Sequence, residues 1–156
     1  MDNTFRLLLL TAVASMAITA GGATAQTRDS LRSDFGIELL GKAIVYSFSY
    51  QRMVSSNVGL QTGISAWGGS DDFFLAIPIG ARAYFSRKSS SPFLTGGTVL
   101  VTGDTFDDDL GTVVGYVGLG FEFRGESGLL FRGSLYSLFD EGEFLIWPGL
   151  NVGYAF

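Results

Sequence analysis

The chain has 156 residues, enough for one domain, and its 10 basic against 15 acidic residues argue against a nucleic-acid partner. It is 47% hydrophobic and only 16% charged, against about 25% charged in ordinary soluble domains, so a conventional solvated surface is hard to build from it. It has no cysteine and no histidine, which removes thiol catalysis, thiolate and imidazole metal sites, and Ser-His-Asp machinery.

The N-terminus reads MDNTFRLLLLTAVASMAITAGGATAQ. Arg6 and the α-amino group outweigh Asp2, an apolar run follows from Leu7 to Ala20, and small residues stand at Ala23 and Ala25. This plan predicts a secretory signal peptide over residues 1–25, cleaved before Gln26. The alternative, an uncleaved membrane anchor, suits the short apolar core and the Gly21-Gly22 break less well. An exported chain without cysteine has no disulfide framework, and no later segment offers the 18 or so consecutive apolar residues of a spanning helix. Two options remain, a soluble β-protein or a membrane β-barrel.

From residue 32 onward the apolar pattern has period two, the signature of strands. Phe35, Ile37 and Leu39 oppose Gly36 and Glu38; Ile44, Tyr46, Phe48 and Tyr50 oppose Ser47, Ser49 and Gln51. A two-residue Gly41-Lys42 turn would join these strands, pairing Leu40 with Ala43, Leu39 with Ile44, Ile37 with Tyr46 and Phe35 with Phe48. Further on, Val58, Leu60 and Ile64 oppose Gly59, Gln61, Gly63 and Ser65, and Phe73, Leu75, Ile77 and Ile79 oppose Gly80 and Arg82. PFLTGGTVLV (92–101) alternates poorly and is read as a strand from spacing. Val113, Val117, Leu119, Phe121 and Phe123 oppose Tyr116, Gly118, Gly120 and Glu122. Leu129, Phe131 and Leu135 oppose Arg132, Ser134 and Tyr136. In the last strand Phe144, Ile146, Leu150, Val152, Tyr154 and Phe156 oppose Gly149, Asn151, Gly153 and Ala155.

The pattern therefore predicts eight strands at about 15 residues per strand and turn, which suits tilted membrane-spanning strands. The second face carries Gly, Ser, Gln, Tyr and few charges, too little to solvate the outside of a soluble sandwich or lipocalin-like barrel. An inside-out arrangement explains it better: an all-β, eight-stranded antiparallel up-and-down transmembrane β-barrel over 32–156, preceded by a short periplasmic segment, 26–31. Pro78 and Pro148 fall within strands, where each removes a ladder hydrogen bond, and bulges would accommodate them.

The connections sort by charge. The odd ones hold Asp71, Asp72, Asp104, Asp107, Asp108, Asp109, Asp140, Glu141 and Glu143 against Lys42 alone, while RMVSSN (52–57), SRKSSS (86–91) and RGES (124–127) are mainly basic. With both termini in the periplasm, the acidic loops are extracellular. Trp67, Phe73, Phe144 and Trp147 fall near the acidic end, and Tyr50, Phe85, Phe123, Tyr154 and Phe156 near the other, as interfacial girdles would.

The terminal LNVGYAF, with Leu150, Val152, Tyr154 and Phe156 at alternate positions, resembles the β-signal of bacterial outer-membrane proteins. Together with the leader and the eight alternating strands, it makes the chain resemble small eight-stranded outer-membrane β-barrel proteins of Gram-negative bacteria, of the OmpA/OmpW transmembrane-barrel type. GIELLGKAIVYSFSYQR (36–52) also resembles the opening of exported β-barrel proteins without an assigned role. The resemblance implies an outer-membrane location, lipid and the barrel assembly machinery as partners, and a monomer. The short extracellular loops depart from the usual pattern of such proteins.

Nothing marks a catalytic, cofactor or metal site, and the lipid A deacylase and palmitoyltransferase barrels, which rely on histidine, are not matched. The four carboxylates of GDTFDDD could bind a divalent cation through oxygen ligands, although they lack EF-hand spacing; a solvated loop tip is the plainer reading. Parity points Glu38, Arg82, Glu122 and Arg132 into the lumen, two of each sign. They form either a plug of paired charges or the constriction of a narrow pore for small solutes. Three roles follow: a non-enzymatic structural or surface-binding barrel, a small pore, and, least favoured, an envelope lipid-modifying enzyme.

Overall fold

The computed structural model describes residues 30–68, 73–103, 112–140 and 143–156. The signal peptide expected over residues 1–25 and most of the acidic loops (Asp71, Asp72, Asp104, Asp107, Asp108, Asp109 and Glu141) lie outside the described residues. Eight strands run β1 (Ser33–Leu40), β2 (Tyr46–Met53), β3 (Val58–Gly68), β4 (Phe73–Tyr84), β5 (Ser90–Gly103), β6 (Thr112–Arg124), β7 (Leu129–Asp140) and β8 (Glu143–Ala155). Each pairs antiparallel with its neighbours in sequence, and β1 pairs with β8, so the sheet closes into a barrel. Closure leaves no open edge, which is what a backbone surrounded by hydrocarbon requires.

The alternation decides the faces. Phe35, Ile37, Leu60, Ile64, Val113, Val117, Leu119, Phe131, Leu135, Ile146, Leu150 and Val152 all point outward and are exposed, Leu119 at 63%. Glu38, Gln51, Gln61, Arg82, Glu122, Arg132 and Asn151 point inward and are buried. This inversion of the usual inside-apolar rule is the arrangement expected when hydrocarbon replaces water as the solvent.

Three local expectations are corrected. The first hairpin has no two-residue turn: Leu39 pairs with Tyr46, Ile37 with Phe48 and Phe35 with Tyr50. A 3-10 turn over Gly41–Ala43 lengthens the connection instead, closed by the Leu40 N–H donating to the Val45 carbonyl at 2.8 Å. The slip is two residues, an even number, so every side chain keeps the face the pattern gave it.

Strand β5 alternates as strictly as its neighbours: Ser91, Phe93, Thr95, Val99 and Val101 are buried, and Leu94 and Leu100 are exposed. Its sequence looked irregular because apolar Phe93, Val99 and Val101 face the lumen.

The prolines are fitted without a register change. Pairing of β3 with β4 runs from Val58 opposite Ala83 to Thr62 opposite Ile79, lapses, and resumes in the same register at Ser65 opposite Ala76. Pro78 sits in that lapse, across from Gly63, where an added Cβ would meet the Pro78 Cγ at 3.1 Å. Pro148 pairs with Leu135 of β7 but lies one residue beyond the last β1–β8 pair, Leu40 with Gly149, so its missing N–H faces no ladder. Short β1 leaves that place open.

Candidate functional site

The lumen holds the chemistry. Its inward side chains interleave buried polar and charged groups with two apolar clusters. At the acidic end, Ala43, Ala76, Val99, Val101, Tyr116, Tyr136 and Leu138 pack together, with Phe74, Val114 and Trp147 against them. At the opposite end Met53, Tyr84 and Phe93 form a smaller cluster. Trp147 therefore lies against the luminal cluster, its indole N–H donating to the Ile44 carbonyl at 3.2 Å, and does not serve as an outward girdle residue.

Glu38, Arg82, Glu122 and Arg132 all reach the lumen, as parity requires, and three further charged residues join them: Asp34, Lys42 and Arg124. Glu122 and Arg132 face each other directly across β6 and β7. The Arg132 Nε lies 2.6 Å from Glu122 Oε2 and its NH2 2.7 Å from Asp34 Oδ2. Arg124 repeats the pattern from β6, with NH2 2.6 Å from Asp34 Oδ2 and Nε 3.2 Å from Glu122 Oε1. The two arginines and two carboxylates thus close a ring that joins β1, β6 and β7 inside the barrel. The Tyr84 hydroxyl donates to Glu122 Oε2, and Arg124 NH1 donates to the Leu31 carbonyl, tying the chain before β1 to the same ring.

Arg82 belongs to a different arrangement. Its NH1 donates to Gln51 Oε1 at 2.7 Å, its NH2 to Gln61 Oε1 at 2.8 Å, and its guanidinium lies 4.5 Å from the centre of the Phe93 ring. The two glutamines pass the polarisation on: Gln51 Nε2 donates to the Tyr84 hydroxyl at 2.9 Å, and Gln61 Nε2 to the Thr95 hydroxyl at 2.6 Å and to the Tyr116 hydroxyl at 3.0 Å. Arg82 makes no ion pair among the described residues, and its Nε is buried without a hydrogen-bond partner.

Nearer the acidic mouth, the Lys42 Nζ sits 2.7 Å from Glu38 Oε2 and donates to the Tyr136 hydroxyl at 3.3 Å, while that hydroxyl donates to Glu38 Oε1 at 2.6 Å. Lys42, read from sequence as part of an extracellular turn, is 4% exposed. The turn reaches inward at a conformational cost: Leu40 and Ile44 both hold positive φ, 59° and 69°. The Val45 N–H donates to the Ala43 carbonyl at 2.8 Å, closing a γ-turn of positive φ on β-branched Ile44. Such a residue conformation costs about 1–3 kcal/mol and persists only when its surroundings hold it.

Lys42, Asp34 and Arg124 are the luminal charges that sequence reasoning missed. Asp34 shares parity with Glu38, and Arg124 with Glu122, so alternation extended to the strand ends would have found both. In total, four cations face three carboxylates, leaving one positive charge in excess among these seven luminal groups. A network of this kind can bind charge or block its passage. Among the described residues, no cluster of three acidic, histidine or cysteine side chains could hold a metal ion.

At the end of the chain, Leu150, Val152, Tyr154 and Phe156 are all exposed on the outer face. The Phe156 N–H donates to the Ser33 carbonyl at 2.7 Å, and the Ser33 N–H to the Phe156 carbonyl at 2.9 Å, so the terminal residue closes the β1–β8 seam.

No protein-family model matches the chain, and no curated protein matches it by sequence. Among solved structures it is similar to the N-terminal β-barrel domain of OprF from Pseudomonas aeruginosa, with a TM-score of 0.60 and 16% identity over 80% of this chain and 94% of that one. It is similar also to the de novo designed TMB2.3, with a TM-score of 0.55 and 13% identity over 80% of this chain and 93% of that one. The outer membrane protein Ail of Yersinia pestis, solved in a phospholipid nanodisc, aligns with a TM-score of 0.50 and 12% identity over 80% of this chain and 97% of that one. At such identities the likeness concerns architecture, and the architecture is that of the small eight-stranded outer-membrane β-barrels.

Proposed function

We propose that the protein is an integral outer-membrane barrel of a Gram-negative bacterium with a structural or surface-binding role, and that its lumen is closed by the charge network. The observation that carries this reading is the ring of Asp34, Glu122, Arg124 and Arg132, all buried and joined by four ion pairs of 3.2 Å or less. Breaking such pairs for a passing ion costs several kcal/mol per group, so the ring acts as a plug. The acidic loops supply the surface role, to a partner or to divalent cations between outer-leaflet phosphates. The terminal strand is read by the assembly machinery. The barrel works as a monomer and carries no catalytic centre, a reading supported by a sequence without histidine or cysteine.

A narrow pore is the second reading, favoured by one observation: Arg82 brings the excess positive charge and a buried unpartnered Nε into the lumen. Single-channel conductance of the refolded barrel, beside an Arg82→Ala, Arg132→Ala double variant, separates the two. A silent parent and a leaky variant support the plug. Discrete parent openings whose ion selectivity changes in the variant overturn it in favour of the pore.

A further inference from the structure

We propose that Glu38, Tyr116 and Tyr136 form a binding site for primary ammonium groups at the acidic mouth of the barrel, which the chain's own Lys42 occupies as a tethered ligand. The ammonium of Lys42 meets three kinds of partner there. A carboxylate oxygen of Glu38 lies 2.7 Å away, the Tyr136 hydroxyl 3.3 Å away, and the centres of the Tyr136 and Tyr116 rings 5.0 and 5.8 Å away. The rings stand nearly perpendicular, at 82°, so they wall the ammonium on two sides. One carboxylate with aromatic faces within about 6 Å is the chemistry that selects organic ammonium over a hydrated metal ion. Hydrogen bonds to both Glu38 and Tyr136 require at least two N–H donors, which excludes quaternary ammonium, and the occupant in place, Lys42, makes primary alkylammonium the class.

The site is built without the lysine. Tyr136 is fixed by its own bond to Glu38, and Tyr116 by the Gln61 amide. Lys42, in contrast, comes from a turn whose backbone disfavours the inward pose at both of its ends, Leu40 and Ile44. Two glycines make the pose sterically possible: a Cβ on Gly149 would lie 3.0 Å from the Gly41 Cα, and one on Gly41 (φ +74°) would lie 2.7 Å from the Glu38 Cδ. The seat therefore holds the turn, and an external ammonium that fills the seat releases it.

This reading goes beyond closure of the lumen and does not depend on whether the barrel conducts, since the ring around Asp34 lies further along the lumen. Lys42→Ala removes three methylenes and the ammonium, which together are n-propylammonium. The thermal unfolding temperature of the refolded Lys42→Ala barrel is expected to fall and to be restored by n-propylammonium chloride. Neither sodium chloride nor propan-1-ol at the same concentration should restore it, and adding Glu38→Gln should abolish the rescue. No rescue in a folded Lys42→Ala barrel overturns the proposal. Should that variant fail to fold, the parent decides: trypsin cleavage at the Lys42–Ala43 bond, measured relative to cleavage at exposed Lys88, should rise severalfold with n-propylammonium. An unchanged ratio overturns it.

Discussion

Replacing Glu122 with glutamine keeps shape and removes one charge from the luminal ring. Glu122 accepts from Arg132 at 2.6 Å, from Arg124 at 3.2 Å and from Tyr84, and it is fully buried. After the change, Asp34 alone faces both arginines, and the luminal excess rises from one positive charge to two. Breaking a buried pair in this way costs about 3–5 kcal/mol. Arg82→Met should behave differently, although it also removes a buried charge. Arg82 loses two hydrogen bonds to Gln51 and Gln61, each worth about 1.5–3 kcal/mol, but removal also relieves the desolvation of a guanidinium with no carboxylate beside it. It returns the lumen to neutrality, so the net loss should stay below about 2 kcal/mol. Equilibrium urea unfolding in lipid vesicles, followed by the fluorescence of Trp67 and Trp147 and by heat-modifiable mobility, measures both. In the Glu122→Gln, Arg82→Met double variant the losses should sum to less than the two singles, because removing Arg82 then relieves repulsion from Arg132. Arg82→Met proving as costly as Glu122→Gln would refute the charge accounting on which the plug rests.

Leu119 lies near the middle of β6 and points outward at 63% exposure, so Leu119→Arg should cost about 2–4 kcal/mol at the bilayer midplane; an unchanged unfolding free energy would mean that this face is not in lipid. Ile44→Gly should be neutral or stabilising by about 1 kcal/mol, since glycine adopts positive φ freely and Ile44 is 42% exposed with little packing to lose. A clear loss in urea unfolding would show that its side chain, not the seat of Lys42, holds the turn. Deleting Phe156 should lower the amount of heat-modifiable barrel in the outer membrane while leaving refolding of the purified chain nearly intact, because only the two backbone bonds to Ser33 and an exposed ring are lost. Normal cellular levels would argue against its role as an assembly address.

Period-two alternation carried most of the architecture, because it states which solvent each residue meets and needs no register. It assigned Glu38, Arg82, Glu122 and Arg132 to the inner face, where all four are buried. It lost force where the lumen turned apolar, as along β5, since Val99 and Val101 look the same to alternation whether they face lipid or Tyr116. It stopped too early at strand ends: Arg124 falls in the RGES connection and Asp34 before the first apolar position, Phe35, although both carry the right parity. Lys42 shows a different limit. The register it belongs to differs from the simplest hairpin by two residues, a change that leaves every face intact and so leaves no mark in the pattern. Only the extra length of the connection lets the turn fold over Gly149 and deliver an ammonium four residues from Glu38 to the same carboxylate. In a barrel, then, alternation assigns the walls, but turn length decides which charges reach the middle. Here it decides whether Glu38 stands in the lumen as a lone carboxylate or as half of a buried pair.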